Sequence, residues 1–522
     1  GQDITQVWLL ELPFPTFVKL IITILLGMVA ICALAFPLLL VFVTVLPFEK
    51  LFIRYFFQLY LYFDQKDGRN MFFTTYLTTM FHNWQTRYSH QYEKEIREFL
   101  FRSVLVCNSI ATSVDYLQIM QQLLQNITRT VNFPEDFIFG VATAAHQIEG
   151  VTLFHWDLPQ TLMDLGGWAN PNMVNYFYDY ADLCFGTFGD RVKLWITFNE
   201  PYEICEDGYG DQKKAPAISS HGVGNYLCGD TLLKAHAEAY HRYDTVYRAK
   251  QGGRIMISIN SIWYAPKDPE NPDDVALAVV ANQFKFGWFA HPIYSKDGGY
   301  PKEMKDRVGD NSILEGLRLS RLPVMSADTI ARIKGTADIL GINHYTTHLI
   351  TAGVDESAQE PSWLKDIGAT VTLDIGESSA SEWLRVYPKG FGDMLRWADK
   401  EYDHPEIMIT ENGVSDKGGL VDDARIKYFQ DYLAELLIAV YDDDVTITGY
   451  VAWTLMDNFE WRAGFSERFG LYAVDIKNPA LPRTAKKSAD FFKNMIKDRS
   501  ISGSRSLLKA KQLNYYYLTG QI

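Results

Sequence analysis

The chain has 522 residues, enough for one large domain and an additional segment, and 48% of them are hydrophobic. Its 63 acidic and 49 basic residues give a net charge of −14, which argues against nucleic acid or an anionic membrane surface as a partner. The five cysteines form no CxxC pair and have no spacing with histidine that is typical of a metal site. An uncharged small-molecule ligand remains compatible with this composition.

Residues 1–132 differ in character from the rest of the chain. From residue 20 to residue 48 there is no charged side chain, and this length suffices for a transmembrane helix, which we predict here, with a buried core helix as the alternative. The basic residues that follow would place the next part of the chain in the cytoplasm, whereas Asn126-Ile-Thr128 is a glycosylation sequon of the secretory pathway. We therefore predict a membrane-anchored or secretory-pathway protein without assigning its topology.

From residue 133 to residue 499, short β-branched and aromatic runs alternate with helical patterns, which predicts an α/β fold with a parallel sheet. The predicted strands are Phe137–Ala145, Val151–Phe154, Leu194–Phe198, Arg254–Trp263, Ile339–Ile342, Ile407–Thr410 and Thr448–Trp453. The predicted helices include Thr231–Gln251, Asp274–Phe289 and Asp423–Tyr441. Seven strands are one fewer than a closed (β/α)8 barrel needs, so an incomplete barrel is predicted, followed by a tail at residues 500–522.

Two of these strands are followed at once by a glutamate and a turn-forming residue. Glu200 stands in Thr197-Phe-Asn-Glu-Pro201, and Glu411 stands in Ile409-Thr-Glu-Asn-Gly413. The C-terminal ends of parallel strands meet at one edge of a sheet, where ligands bind. Two carboxylates that face one site are the minimum needed to cleave a glycosidic bond. For either glutamate alone, an ion pair at a strand end is the simpler interpretation.

Further motifs occur in a fixed order around these two. They are Phe133-Pro-Glu-Asp-Phe137, Ala142-Thr-Ala-Ala-His-Gln-Ile-Glu-Gly150, Phe154-His-Trp-Asp-Leu-Pro-Gln160, Gly341-Ile-Asn-His-Tyr-Thr346, Trp453-Thr-Leu-Met-Asp-Asn-Phe-Glu-Trp461 and Arg468-Phe-Gly-Leu-Tyr472. Together the motifs resemble those of the family 1 glycoside hydrolases, the β-glucosidase and myrosinase-like family. The resemblance implies a (β/α)8 TIM barrel that hydrolyses a small-molecule β-glycoside with retention of configuration, with no metal or other cofactor.

The resemblance also assigns roles to individual residues. It implies that Glu200 is the acid/base, that Glu411 is the nucleophile, and that the phenol of Tyr345 hydrogen-bonds the nucleophile and keeps it ionised. The residues that it implies in sugar binding are Gln147, His155, Asn199, Trp453, Glu460, Trp461 and Phe469. Taken alone, a histidine or tryptophan of this kind is more often a core residue. The natural sugar and leaving group are not readable from these motifs.

The connection between the first two predicted strands is too short for parallel neighbours. Only three residues separate Gln147 from Val151, whereas a crossover between parallel strands needs about a dozen. The resemblance implies that a long segment is absent here, including a second barrel strand whose arginine would lie beside Glu411 and lower its pKa. We therefore predict a barrel with two open edges and a raised pKa for Glu411.

Three interpretations of the whole chain follow from this missing segment. The chain is an active retaining β-glycosidase, a catalytically impaired relative that binds sugar or protein, or a chimeric gene model in which residues 1–132 belong to another protein.

Cysteine usage bears on the compartment: Cys205 and Cys228 flank the loop after the first glutamate motif and would pair in an oxidising compartment. The sequence leaves that pairing open. Cys184 is predicted to be buried in a helix.

Overall fold

The computed structural model describes residues 131–142, 150–353 and 361–501. The predicted transmembrane segment at residues 20–48, the sequon at Asn126 and the sugar-binding candidate Gln147 lie outside these ranges. Within them, no helix combines the length and apolar character required to span a membrane.

The described residues form sixteen β-strands and twelve α-helices, numbered here in chain order. The strands are β1 (Val131–Asn132), β2 (Ile138–Ala142), β3 (Gly150–Phe154), β4 (Leu194–Asn199), β5 (Arg254–Asn260), β6 (Trp263–Pro266), β7 (Ile339–Asn343), β8 (Thr347–Ala352), β9 (Ala369–Thr372), β10 (Glu377–Ser378), β11 (Arg385–Val386), β12 (Ile407–Asn412), β13 (Ile447–Trp453), β14 (Tyr472–Val474), β15 (Arg483–Ala485) and β16 (Ser500–Ile501). The helices are α1 (Gln160–Asp164), α2 (Met173–Phe188), α3 (Gly224–Arg242), α4 (Arg248–Gln251), α5 (Pro272–Asn282), α6 (Trp288–Tyr294), α7 (Lys302–Leu314), α8 (Ala327–Ile333), α9 (Trp363–Ile367), α10 (Pro388–Glu401), α11 (Asp423–Asp442) and α12 (Lys487–Asp498). Short 3-10 turns lie at Gly167–Ala169 and Trp461–Ala463, and π-helical turns lie at Glu203–Asp207, Tyr243–Tyr247 and Gln283–Gly287.

The central sheet contains seven parallel strands in the order β2-β13-β12-β7-β5-β4-β3. Strands β7 and β12 are buried along their whole length, as expected where a parallel sheet is covered on both faces. Helices cover the sheet; in α2, for example, the ring of Phe177 stacks on Phe198 of β4 with 4.3 Å between centroids. The prediction of an α/β fold with seven parallel barrel strands is therefore confirmed.

The two end strands of this sheet, β2 and β3, are consecutive in the chain but do not pair with each other. Strand β2 pairs with β13 and β3 pairs with β4, and the described residues provide no second partner for either. Only residues 143–149 connect the two strands, which is too short for a crossover between parallel neighbours. The length argument made from the sequence is therefore confirmed, and the barrel is open between β2 and β3 in the described part of the chain.

Apolar side chains are exposed next to this opening. Ile138 in β2 is 41% exposed, and Tyr176, Tyr180 and Leu183 in α2 are 43 to 67% exposed. The three α2 residues are spaced so that they share one side of the helix. Helix α3 packs against a different side of α2, where its Arg242 donates to Asp182 of α2 at 2.7 Å. The exposed side of α2 therefore lacks a covering helix among the described residues.

One predicted strand, Arg254–Trp263, is wrong in its extent. Strand β5 ends at Asn260, and Trp263 begins β6, which pairs with β8 in a separate three-stranded sheet. The Oδ1 atom of Asn260 accepts a hydrogen bond from the backbone N–H of Ile262 at 3.1 Å. This local side-chain bond turns the chain out of the barrel, a break that the apolar run Ser261-Ile262-Trp263 does not reveal.

The two ends of the described unit meet in a short antiparallel pair. Val131 of β1 is paired with Ile501 of β16, and the backbone N–H of Phe133 donates to the carbonyl of Arg499 at 2.8 Å. The first two residues of the predicted tail therefore belong to a strand.

Candidate active site

The two glutamates lie at the C-terminal edge of the barrel sheet. Glu411 is the residue before the last in β12, and Glu200 follows β4 directly; both are more than nine-tenths buried. Glu200 has a left-handed backbone conformation, with φ of +52°, and its N–H donates to the carbonyl of Ser258 in β5 at 2.8 Å. A non-glycine residue in this region is strained, and such strain is concentrated at functional sites because the surroundings must impose it.

The side-chain amide of Asn343, at the end of β7, holds the carboxylate of Glu200 and the amide of Asn199. Its Nδ2 donates to Oε1 of Glu200 and to Oδ1 of Asn199, at 3.0 Å each. The hydroxyl of Thr410 donates to Asn343 Oδ1 at 2.6 Å, which turns the NH2 group towards the carboxylates. Asn343 also lowers the pKa of the Glu411 carboxyl. One amide therefore holds the carboxylate of Glu200 and favours the ionised form of Glu411.

Glu411 lies in surroundings that disfavour its ionised form. Its pKa is raised well above the ordinary value, first by burial and next by the negative charges of Glu200 and Glu460. The phenol of Tyr345 donates to Oε2 of Glu411 at 2.7 Å and opposes this shift. No cation is among the main contributors, in agreement with the effect expected from the missing arginine.

Aromatic side chains form one wall of the site. His155 lies 6.4 Å from Trp453 and 6.1 Å from Trp461, measured between ring centroids, and is nearly parallel to both rings. Nε2 of His155 is 3.1 Å from the Asn199 amide nitrogen, and burial lowers the pKa of this histidine. Phe469 is buried with its ring edge-on to that of Tyr345, at 6.1 Å. These contacts bring most of the predicted sugar-binding residues to the side of the two glutamates.

Glu460 and Trp461 lie in the loop after β13. Burial raises the pKa of Glu460 to about 7, with a further contribution from the charge of Glu467. The ring of Trp461 packs on Trp156 at 4.3 Å, and both tryptophans have left-handed φ angles, +43° and +76°. Three non-glycine residues with this unfavourable backbone thus border the same site.

Sequence reasoning missed three side chains that contact the predicted ones. Asn343 donates to the carboxylate of Glu200, Asn260 donates to Oε1 of Glu200 at 3.2 Å, and the ammonium of Lys214 lies 3.9 Å from the centroid of the Trp156 ring. The two asparagines end barrel strands, so the strand-end argument that selected Glu200 would have found them. Lys214 lies in a loop, so the argument from strand ends would not have found it.

No group of three or more histidine, cysteine, aspartate or glutamate side chains suitable for a metal ion occurs in the described ranges. Cys205 and Cys228 form a disulfide, which resolves the pairing that the sequence left open. Cys184 is buried in α2 with a free thiol, as predicted.

An open parallel barrel with two buried carboxylates and an aromatic wall at the C-terminal edge of its strands is typical of a glycoside hydrolase. Comparison with known proteins gives the particular family. The model of glycosyl hydrolase family 1 matches residues 150–501, and the chain belongs to this family. The match begins at the first residue of β3, immediately after the opening in the barrel. The predicted β-glucosidase-type enzyme class is confirmed at the level of the family.

Curated relatives and solved structures agree with this assignment. Myrosinase 1 of Brevicoryne brassicae is 43% identical over 348 residues, which are 66% of this chain and 74% of that protein. Human lactase/phlorizin hydrolase is 47% identical over 351 residues, but the chain spans only 18% of its length. The structure of aphid myrosinase matches 66% of this chain with a TM-score of 0.63 and 42% identity. The family 1 β-glucosidase of Thermotoga maritima matches with a TM-score of 0.59 and 29% identity.

Proposed function

We propose that this chain hydrolyses β-glycosidic bonds with retention of configuration through a covalent glycosyl-enzyme. The observation that supports the proposal most is that Glu200 and Glu411 are both buried at one edge of the sheet, where Asn343 donates to Glu200 and lowers the pKa of Glu411. Named relatives that include a myrosinase and a lactase/phlorizin hydrolase favour an O-glucoside, or a thioglucoside, as substrate.

In this mechanism the two carboxyl groups have different tasks. The ionised Glu411 attacks the anomeric carbon, and Glu200 donates its proton to the leaving oxygen as the bond to that oxygen breaks. Glu200 then takes a proton from water, and the water oxygen displaces Glu411 from the sugar. The hydrogen bond from Tyr345 assists the first step, and so does Asn343, because both lower the pKa of the nucleophile. No cofactor takes part in either step.

The remaining predicted roles belong to the same proposal. Asn199 would hold the sugar 2-hydroxyl, His155 and Glu460 would hydrogen-bond other hydroxyls, and the ring faces of Trp453 and Trp461 would lie against the sugar. Phe469 would close the wall beside Tyr345.

The test is release of nitrophenol from a nitrophenyl β-glucoside by the purified chain and by Glu411→Gln. We expect a loss of at least about 10³-fold in kcat in the variant, because the substitution removes the nucleophile and keeps its shape. Glu238→Gln is the matched control, since Glu238 pairs with Arg332 away from the site and its loss should leave activity unchanged. Equal rates for the chain and Glu411→Gln would contradict the proposal.

The alternative is a catalytically impaired relative that binds a sugar. The opening between β2 and β3 favours it, because an incomplete barrel holds the carboxylates less firmly. It predicts that the chain binds glucose, seen by isothermal titration calorimetry, but releases no nitrophenol. A chain with neither property would support the interpretation as a chimeric or truncated gene model.

We also propose a secretory-pathway or membrane-anchored location. Support comes from the disulfide, which is typical of oxidising compartments, together with the sequon at Asn126 and the apolar stretch at residues 20–48. The oligomeric state is left open.

A further inference from the structure

A buried ion pair lies one turn beyond Glu200. The ammonium nitrogen of Lys285 is 2.8 Å from Oε1 of Glu203, and the two side chains are 1% and 7% exposed. The same ammonium lies 3.2 Å from the ring centroid of Tyr202. Lys285 therefore contacts two successive residues of the turn that begins at Glu200. Lys285 is about 80 residues from Glu203 in the sequence.

Both members of the pair lie in π-helical turns. Glu203 begins the turn Glu203–Asp207, and Lys285 is the central residue of the turn Gln283–Gly287. Such widened turns are rare and occur often at functional sites, because the extra residue changes the direction of the side chains. Here two of them, from separate elements, direct opposite charges at each other in the protein interior.

Stability alone does not account for this pair. Taking two charges out of water costs several kcal/mol, and apolar residues of similar size are often as stable or more stable. The pair is also incompletely satisfied: Oε2 of Glu203 has no hydrogen-bond partner among the described residues. Burial lowers the pKa of Lys285 and raises that of Glu203 to about 7. Both shifts show that burial disfavours the charged forms of the pair.

The turn that Lys285 contacts determines the direction of Glu200. The backbone N–H of Ile204 donates to the carbonyl of Glu200 at 3.2 Å, so the residues from Glu200 to Ile204 form one hydrogen-bonded turn. Glu200 enters this turn with its strained φ of +52°. A residue in that conformation stays there only when its surroundings hold it. The contacts of Tyr202 and Glu203 with Lys285 add to the hydrogen bond between the Glu200 N–H and Ser258.

We propose that Lys285 is a positioning residue, which acts through Tyr202 and Glu203 to direct the carboxyl of Glu200 at the leaving-group oxygen. This inference rests on the proposed glycosidase function. It assigns Lys285 no contact with the substrate. It predicts that Lys285 matters only when the leaving group needs a proton from Glu200.

The test compares two β-glucosides, one with phenol and one with 2,4-dinitrophenol as the leaving group. Dinitrophenolate leaves without protonation, whereas phenol requires it. We expect Lys285→Met to lower kcat/KM for the phenyl glucoside about 10²-fold and to change that for the dinitrophenyl glucoside less than about threefold. A loss of structure would lower both values alike, so the ratio of the two identifies the role.

A second variant guards against misfolding. In Lys285→Met, Glu203 stays buried without its partner, so we include the double variant Lys285→Met/Glu203→Leu, in which no charge is stranded. It should show the same change in the ratio. Arg321→Met is the matched control, because Arg321 forms a buried pair with Asp366 at 2.6 Å that does not involve the turn after Glu200. It should lower stability without changing the ratio.

The outcomes separate this inference from the proposed function. An equal loss on both glucosides in the single and double variants would overturn the role of Lys285 and leave the function standing. If the unmodified chain does not hydrolyse the dinitrophenyl glucoside, and Glu411 is not labelled by the corresponding 2-deoxy-2-fluoro glucoside, the proposed function fails and the role of Lys285 fails with it.

Discussion

The side chain of Tyr345 shows how a single residue affects the chemistry of the site. It donates to Glu411, whose carboxyl is otherwise disfavoured as an anion by burial and by the charge of Glu200. Glu411, Glu200 and Tyr345 were predictable from the sequence, because each stands in a short motif at or just after a strand. The contact of Lys285 with Glu203 was not, since it depends on how two distant π-helical turns pack.

We expect Tyr345→Phe to move the acidic limb of the kcat/KM profile to higher pH. In the proposed mechanism Glu411 must be ionised to attack, so activity falls as the pH drops through the pKa of Glu411. Removal of the phenol's hydrogen bond raises that pKa further, because this bond favours the ionised carboxylate. Measurement of kcat/KM between about pH 4 and pH 8 checks this. That range includes the ordinary pKa values of carboxylates and histidine.

Tyr226→Phe is the control, because Tyr226 donates to Asp366 at 2.6 Å, a carboxylate that is not one of the site residues. An unmoved acidic limb in Tyr345→Phe would mean that Glu411 does not control the limb.

At the level of elements, the loop between the turn after Glu200 and helix α3 carries part of the site. The disulfide joins Cys205 in the π-helical turn to Cys228 in α3, and Lys214 lies in the loop that it closes. Strand periodicity predicted the seven barrel strands to within a few residues. It did not predict the end of β5, where an asparagine turns the chain, or the disulfide, which requires the folded loop to bring the two cysteines together.

Replacement of both Cys205 and Cys228 by serine should lower the free energy of unfolding by about 3 kcal/mol. The reason is the loss of a cross-link across 23 residues, which constrains the unfolded chain. Urea denaturation of the variant and of the unmodified chain measures the difference. Reductant should destabilise the unmodified chain by the same amount and leave the variant unaffected. Equal stabilities without reductant would show that the disulfide contributes nothing.

At the level of the whole molecule, the dominant feature is the opening of the barrel between β2 and β3. The sequence predicted it from the length of one connection, because the three residues between Gln147 and Val151 do not connect parallel neighbours. The exposed side of α2, with Tyr176, Tyr180 and Leu183, was not predictable, since the same residues would be covered in a complete barrel. The central strands β5 and β7 have two partners each, whereas the end strands have one.

We therefore expect the end strands to be the least protected part of the sheet. Hydrogen exchange followed by mass spectrometry should show amides of β2 and β3 exchanging at least about tenfold faster than those of β5 and β7. The central strands serve as the internal control, because they share the solvent and the global stability of the chain. Equal protection of all four strands would mean that another segment covers the open edges.

The left-handed backbone at Glu200 bears on the selection that this chain has experienced. Glutamate lowers the stability of the fold at this position, because its φ angle is strained and its carboxyl group is buried. Glycine would adopt the same conformation without strain and without burying a charge. Mutational drift that preserved only stability would therefore move this position away from glutamate. The retention of glutamate here is therefore the outcome expected if Glu200 performs the acid/base chemistry that we propose.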